Sequence, residues 1–116
     1  MNAITKNMKY VILEGVQTVT RLFIVGAIAN CTNLKSFTVV DQSLGMVYSN
    51  AFENCTGLTE LHLYADSLSS LDATAFNGWT AEQTIYIHGL ENLEAAAMKY
   101  GKWINTCTVT IVVLPE

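Results

Sequence analysis

Apolar positions recur along this chain in a fixed frame. Leu34, Phe37 and Val39 return as Leu58, Leu61 and Leu63 and, after the same step again, as Glu82, Ile85 and Ile87. The last two apolar positions of each set alternate with more polar ones, which is the period of a short strand with one buried face. A turn-like stretch precedes each set: Ala27-Ile-Ala-Asn-Cys-Thr-Asn-Leu34, Ala51-Phe-Glu-Asn-Cys-Thr-Gly-Leu58 and Ala75-Phe-Asn-Gly-Trp-Thr-Ala-Glu82, whose starts at positions 27, 51 and 75 are evenly spaced. Self-similarity at such an interval marks a stacked array, whose units bury their apolar faces only against one another. Carried forward, the same step predicts a strand over Val109 to Val113, with Val109 in the place of Ile85 and Ile111 in that of Ile87, and it sets Tyr100 on Phe76, Trp103 on Trp79 and Cys107 on Gln83. Carried backward, it reaches Met8, Val11 and Leu13 if the first unit is two residues longer, so that Val11 matches Phe37.

The L-x-x-L-x-L spacing is that of a leucine-rich repeat. Together with A-F-x-N-C-T-x-L and an apolar return, Ser43-Leu44-Gly-Met-Val47 or Ser67-Leu68-Ser-Ser-Leu71, the pattern resembles the BspA-like leucine-rich repeats from about Met8 to Val113. The units starting at Ala27 and Ala51 carry it well, whereas the third has Trp79 for the cysteine and Glu82 for the leading leucine. The expected fold is an α/β-type repeat solenoid: right-handed, about five coils, a short parallel sheet on one face, irregular turns on the other and a C-terminal helix-strand cap. The expected layout is one domain over 1–116, with a degenerate first coil 8–26, repeats 27–50, 51–74 and 75–89, and a cap 90–116. The resemblance implies a bacterial or protozoan protein, cell-surface or secreted, engaged in adhesion or protein binding, with host matrix proteins among its ligands.

Terminal coils must close the core and blunt the strand edges. The segment Leu90 to Tyr100 predicts a short helix with Leu90, Leu93, Ala97 and Tyr100 on one face, acidic residues in its first turn and Gly101 after its end. At the other end, Met8 to Leu13 is a short apolar strand with little ahead of it, which suggests self-association through the N-terminal coil or further repeats upstream.

Composition narrows the function. The chain is 116 residues long with ten acidic and six basic residues, a formal charge of −4, and no apolar run approaches the ~20 residues of a membrane helix. The scattered basic residues offer no stripe to neutralise phosphates, so neither nucleic acid nor an anionic lipid surface is an expected partner. The first residues lack the charged start, apolar centre and small-residue cleavage site of a secretory signal, which leaves an intracellular protein or a leader outside this sequence.

Cys31 and Cys55 share one repeat position, as do Asn30 and Asn54. With no C-x-x-C spacing, the cysteines read as small buried hydrophobes in a structural ladder rather than as a disulfide or metal pair. Cys107 falls off that ladder and is the thiol expected to be most reactive. Asn30-Cys31-Thr32 and Asn54-Cys55-Thr56 match the N-x-T glycosylation pattern, but Asn and Thr at a repeat turn are expected to bond stacked backbone groups.

Residues beside the buried strand positions point outward and line up in columns. The first reads Tyr10, Ser36, Glu60, Thr84, Thr108; the second Ile12, Thr38, His62, Tyr86, Thr110; the third Glu14, Val40, Tyr64, His88, Val112. His62, Tyr64, Tyr86 and His88, with Thr38 and Glu60 beside them, are the candidate binding residues for a protein or glycan ligand, since rigid aromatics supply contact area at low entropic cost. The competing reading is that the same side chains only stabilise the sheet through cross-strand pairs, the chain being a structural repeat spacer of a longer surface protein whose ligand is bound elsewhere. Glu60, His62 and His88 could be arranged as an acid/base or metal constellation, but no H-E-x-x-H, G-x-S-x-G or phosphate-binding glycine loop is present, so no catalysis, cofactor or metal is expected.

Overall fold

In the computed structural model the described residues are 10–13, 29–39 and 44–116. Met8, Glu14, Val40, Ser43 and most of the first coil lie outside them, as do the side chains of Tyr10–Leu13, Thr38 and Val39. The chain runs β1 (Tyr10–Leu13), β2 (Ser36–Val39), β3 (Met46–Val47), β4 (Glu60–Tyr64), β5 (Ser70–Leu71), β6 (Thr84–His88), α1 (Leu93–Tyr100), a 3-10 turn (Lys102–Asn105) and β7 (Thr110–Leu114). Every strand pairing among the described residues is parallel: β1 with β2, β3 with β5, and β4–β6–β7 in one sheet. β2 lies beside β4. These are the short parallel strands of a repeat fold, with a single helix and no closed barrel among the described residues.

The pairing follows the repeat frame. Leu61 and Leu63 stand opposite Ile85 and Ile87, one repeat step on, and Val11 stands opposite Phe37, where the step is two positions longer. β4 and β6 bury alternate residues, so Leu61, Leu63, Ile85 and Ile87 enter the core while Glu60, His62, Thr84, Tyr86 and His88 stay on the outer face. The core continues through the turns: Phe37, Phe52, Phe76 and Trp79 form an aromatic row with ring centroids 5.2, 5.7 and 5.0 Å apart along the chain.

The turns are bonded from unit to unit. The Asn30 N–H donates to the Glu53 carbonyl (2.7 Å), and the Asn54 N–H to that of Asn77 (2.9 Å), so each turn satisfies its main chain on the next one. Asn30 and Asn54 adopt φ of 65° and 59°, which asparagine tolerates, and the Asn54 side chain donates Nδ2–H to Asn30 Oδ1 at 2.9 Å. At the third position of this ladder Gly78 has φ of 90°, and a Cβ there would run into Asn54 Oδ1. Cys31 and Cys55 are buried beside it, and Trp79 continues their position with its indole N–H donating to the Phe52 carbonyl at 2.9 Å.

Four expectations are corrected. First, β7 is displaced: Ile111 and Val113 oppose Ile85 and Ile87, two positions beyond the repeat step, because the helix and the 3-10 turn deliver the chain later than an ordinary repeat would. Thr110, Val112 and Leu114 therefore complete the three outward columns in place of Thr108, Thr110 and Val112, and Cys107 does not stand on Gln83. Trp103 repeats the ring contact of Trp79, 6.4 Å from Phe76 as Trp79 is from Phe52, but its indole donates to Tyr100 O within its own turn (2.9 Å) instead of to the preceding unit. Second, the helix starts at Leu93, capped by Asn92 Oδ1 accepting from the Ala95 N–H. Third, its buried face is Ala96, Ala97 and Tyr100, and Leu93 is exposed. Fourth, the return side is not wholly irregular, for β3 and β5 pair there, Val47 against Leu71.

Candidate functional site

The outer face of β4–β6–β7 gathers the candidate residues. Parallel pairing puts His62 opposite Tyr86 and Tyr64 opposite His88, and Glu60 opposite Thr84. The His62 and Tyr86 rings stack at 4.6 Å with planes 10° apart, and Tyr64 and His88 at 4.5 Å and 17°. The two stacks meet edge to edge, because His62 and His88 lie diagonally across the strands with ring centroids 5.0 Å apart. Thr38 sits in β2 opposite Ile12, its side chain outside the described residues.

A chain of hydrogen bonds runs through this layer. Glu60 Oε2 lies 2.6 Å from His62 Nε2; His62 Nδ1 lies 2.7 Å from His88 Nε2; His88 Nδ1 lies 2.7 Å from the main-chain oxygen of Glu116. Neither the diagonal contact between the histidines nor the part of Glu116 is legible from spacing alone. The latter depends on the two-residue displacement of β7, which sets Leu114 opposite His88 and brings the following residues alongside it. The first of these contacts joins half-exposed groups, the side chains of His62 and Glu60 being 37% and 60% accessible, so it orders the layer more than it stabilises the fold.

The remaining predicted positions are turn and core elements. Asn30 and Asn54 bond each other through their side chains, away from the histidines in the chain's turn row. Burial pushes the Cys55 thiol up to about 12, against a smaller opposing effect of a main-chain hydrogen bond from Cys31. Cys107 is less buried, and burial raises its thiol as well, while it donates to the carbonyls of Ile104 and Val109 at 3.5 Å. No group of three or more His, Cys, Asp or Glu among the described residues could hold a metal ion, and no described helix is long and apolar enough to cross a membrane.

Among the described residues, short parallel strands joined by bonded asparagine turns define a repeat protein. The chain belongs to the BspA-type leucine-rich repeat family: the model of that repeat region matches residues 7–113 in six copies. Proteins built on such repeats are generally non-catalytic and mediate protein interactions. No curated protein and no solved structure matches the chain.

Proposed function

We propose that this chain is a non-catalytic adhesion module that docks a protein ligand on the outer face of β4, β6 and β7, through His62, Tyr64, Tyr86 and His88 with Glu60 and Thr38 at the margin. In this reading the whole of 1–116 is one right-handed solenoid in which β1, β2, β4, β6 and β7 each lie in one of five coils, and it works at a cell surface, as the family commonly does. The observation that carries the proposal is the continuous layer of four rings on an outer strand face, where clustered rigid aromatics make good anchors. The ring faces are turned onto one another, which favours a protein, met by ring edges and polar atoms, over a sugar ring stacked on an open aromatic face.

The test is the triple variant His62→Ala, Tyr64→Ala, Tyr86→Ala beside the parent on an array of matrix proteins and glycans, with melting curves for both. A matrix protein that binds the parent and not the variant, with the fold retained, is the expected result. Equal binding by both forms refutes the strand face as the docking surface, and a parent that binds glycans alone refutes a protein as its ligand. If the rings serve only the sheet, the variant loses stability, roughly 0.2–1 kcal/mol for each broken cross-strand pair, and no interaction changes.

A further inference from the structure

The hydrogen-bond chain through the ring layer ends on two oxygens. Glu60 offers a carboxylate and Glu116 a main-chain oxygen, and with the carboxylate ionised both only accept. Each must receive a proton from the ring nitrogen facing it, His62 Nε2 at one end and His88 Nδ1 at the other. If both rings are neutral, the two nitrogens left, His62 Nδ1 and His88 Nε2, present lone pairs to each other at 2.7 Å. That contact is repulsive unless a cation lies between them.

The geometry says which cation. With ring centroids 5.0 Å apart and the nitrogens 2.7 Å apart, taking off the two ring radii leaves the nitrogens on the line joining the rings. A proton fits that line as an N–H···N bond. A tetrahedral metal needs its ligands to converge at an angle, and no third ligand stands by among the described residues.

We propose that Glu60, His62 and His88 hold one proton in common, and that its presence gates the docking face, an inference that rests on the reading of that face given above. The count is three protons for three hydrogen bonds, with one ring carrying the cation between oxygen acceptors at both ends. Removing a proton leaves two for three contacts, so one contact in the chain sets acceptor against acceptor; adding one to the rings sets two N–H groups against each other between the histidines. In either case the unbroken chain from Glu60 to Glu116 is lost, and with it the order of the stacks of Tyr86 on His62 and Tyr64 on His88. The groups facing the pair are Glu60 and Tyr64 from β4, Tyr86 from β6 and Glu116 beyond β7; the sequences of β7 and β2 hold nothing ionisable, while Lys35 precedes β2 and Asp66 follows β4.

The experiment is a long-range proton–nitrogen NMR titration of the whole labelled chain without ligand, across and beyond the span of about pH 5 to 8 in which histidine ordinarily changes charge. His62 and His88 are expected to move together in linked steps rather than independently, as coupled sites do. Between the steps three of the four ring nitrogens carry protons, and the Tyr64 and Tyr86 ring signals shift at both. In His88→Gln the linkage is gone, and His62 changes in a single step. Independent one-proton curves, each unchanged by substitution of the other histidine, overturn the shared proton. Tyrosine signals that ignore the steps overturn the gating. No ligand enters these spectra, so failure of the relay and failure of the docking reading on the array are separate results.

Discussion

Gln83 Nε2 donates to the Leu58 carbonyl at 2.9 Å from a buried position, reaching back across one repeat. The same amide donates to the Cys55 carbonyl at 3.0 Å, and its Oε1 accepts from the Thr80 N–H at 3.1 Å. One polar side chain thus satisfies three main-chain groups in the turn before the strand, which is why it can be buried without loss.

Replacing Gln83 by leucine keeps much of the volume and removes all three bonds. The expected cost is about 1–3 kcal/mol, because the carbonyls of Cys55 and Leu58 are left without this partner in a buried turn. Urea unfolding of Gln83→Leu against the parent measures it; equal midpoints would mean that water replaces the amide.

Leu61→Ala tests the strand core. Leu61 is buried opposite Ile85, and β6 is held on its far side by β7, so the space cannot collapse easily. A loss on the order of 2–5 kcal/mol is expected in chemical denaturation, and a melting curve unchanged from the parent would show that the strand register is wrong.

How much of this is legible in the sequence follows from what each feature depends on. The strands β2, β4 and β6 can be read from alternation, since each is decided locally by which residues face the core. The extra two residues between Val11 and Phe37 are readable because the apolar pattern itself shifts. The register of β7 is not: its partner is set by how far α1 and the 3-10 turn carry the chain, and a threonine-valine run fits a strand equally well at either offset. Helical period alone buries Leu93, but small alanines let α1 sit on Ala96 and Ala97 instead. The outward rings can be named from spacing. Their diagonal histidine contact cannot, because it depends on ring rotations and on where Glu116 comes to lie.

The alkaline limb of stability is expected to come from Cys55 and Tyr100. Burial raises Cys55 from an ordinary 9.0 to about 12 and Tyr100 from 10.0 to about 12, and the Tyr100 hydroxyl donates to the Leu68 carbonyl at 2.7 Å. The folded state then keeps protons that the unfolded chain releases. Stability from both groups is complete below the ordinary values and is lost as pH rises toward 12. Tyr100→Phe should start less stable at neutral pH for want of its hydrogen bond, yet fall less steeply between the ordinary tyrosine value and 12; parallel declines in the two proteins would remove Tyr100 from the account.

At the acid end the group to watch is Asp72. Its carboxylate accepts from the Thr74 hydroxyl (2.7 Å), the Thr74 N–H (2.8 Å) and the Ser49 hydroxyl (3.2 Å), and the Thr74 side-chain bond leads in holding it below its ordinary 3.8. A lowered carboxyl stabilises the fold above its unfolded value and ceases to as pH falls through the folded one, so the loss is confined below pH 3.8. Asp72→Asn should flatten the melting temperature below that pH and lower it at neutral pH; an unchanged acid limb would assign the effect to other carboxylates.

Gly78 and Asn54 are coupled through space and conformation. Gly78 sits at φ of 90°, and Asn54 Oδ1 occupies the place of the Cβ it lacks, so Gly78→Ala meets both backbone strain and a collision. The strain belongs to Gly78 alone and should cost on the order of 1–3 kcal/mol. The collision belongs to the pair. Asn54→Gly keeps the left-handed turn at φ of 59° but removes the side chain that reaches Asn30, and it clears the space beside residue 78. The double substitution should therefore cost less than the sum of the single ones, with a coupling of roughly 0.5–3 kcal/mol in a double-mutant cycle of unfolding free energies. Strict additivity would mean that Asn54 swings aside freely, and that the asparagine ladder holds the turns by their main-chain bonds alone.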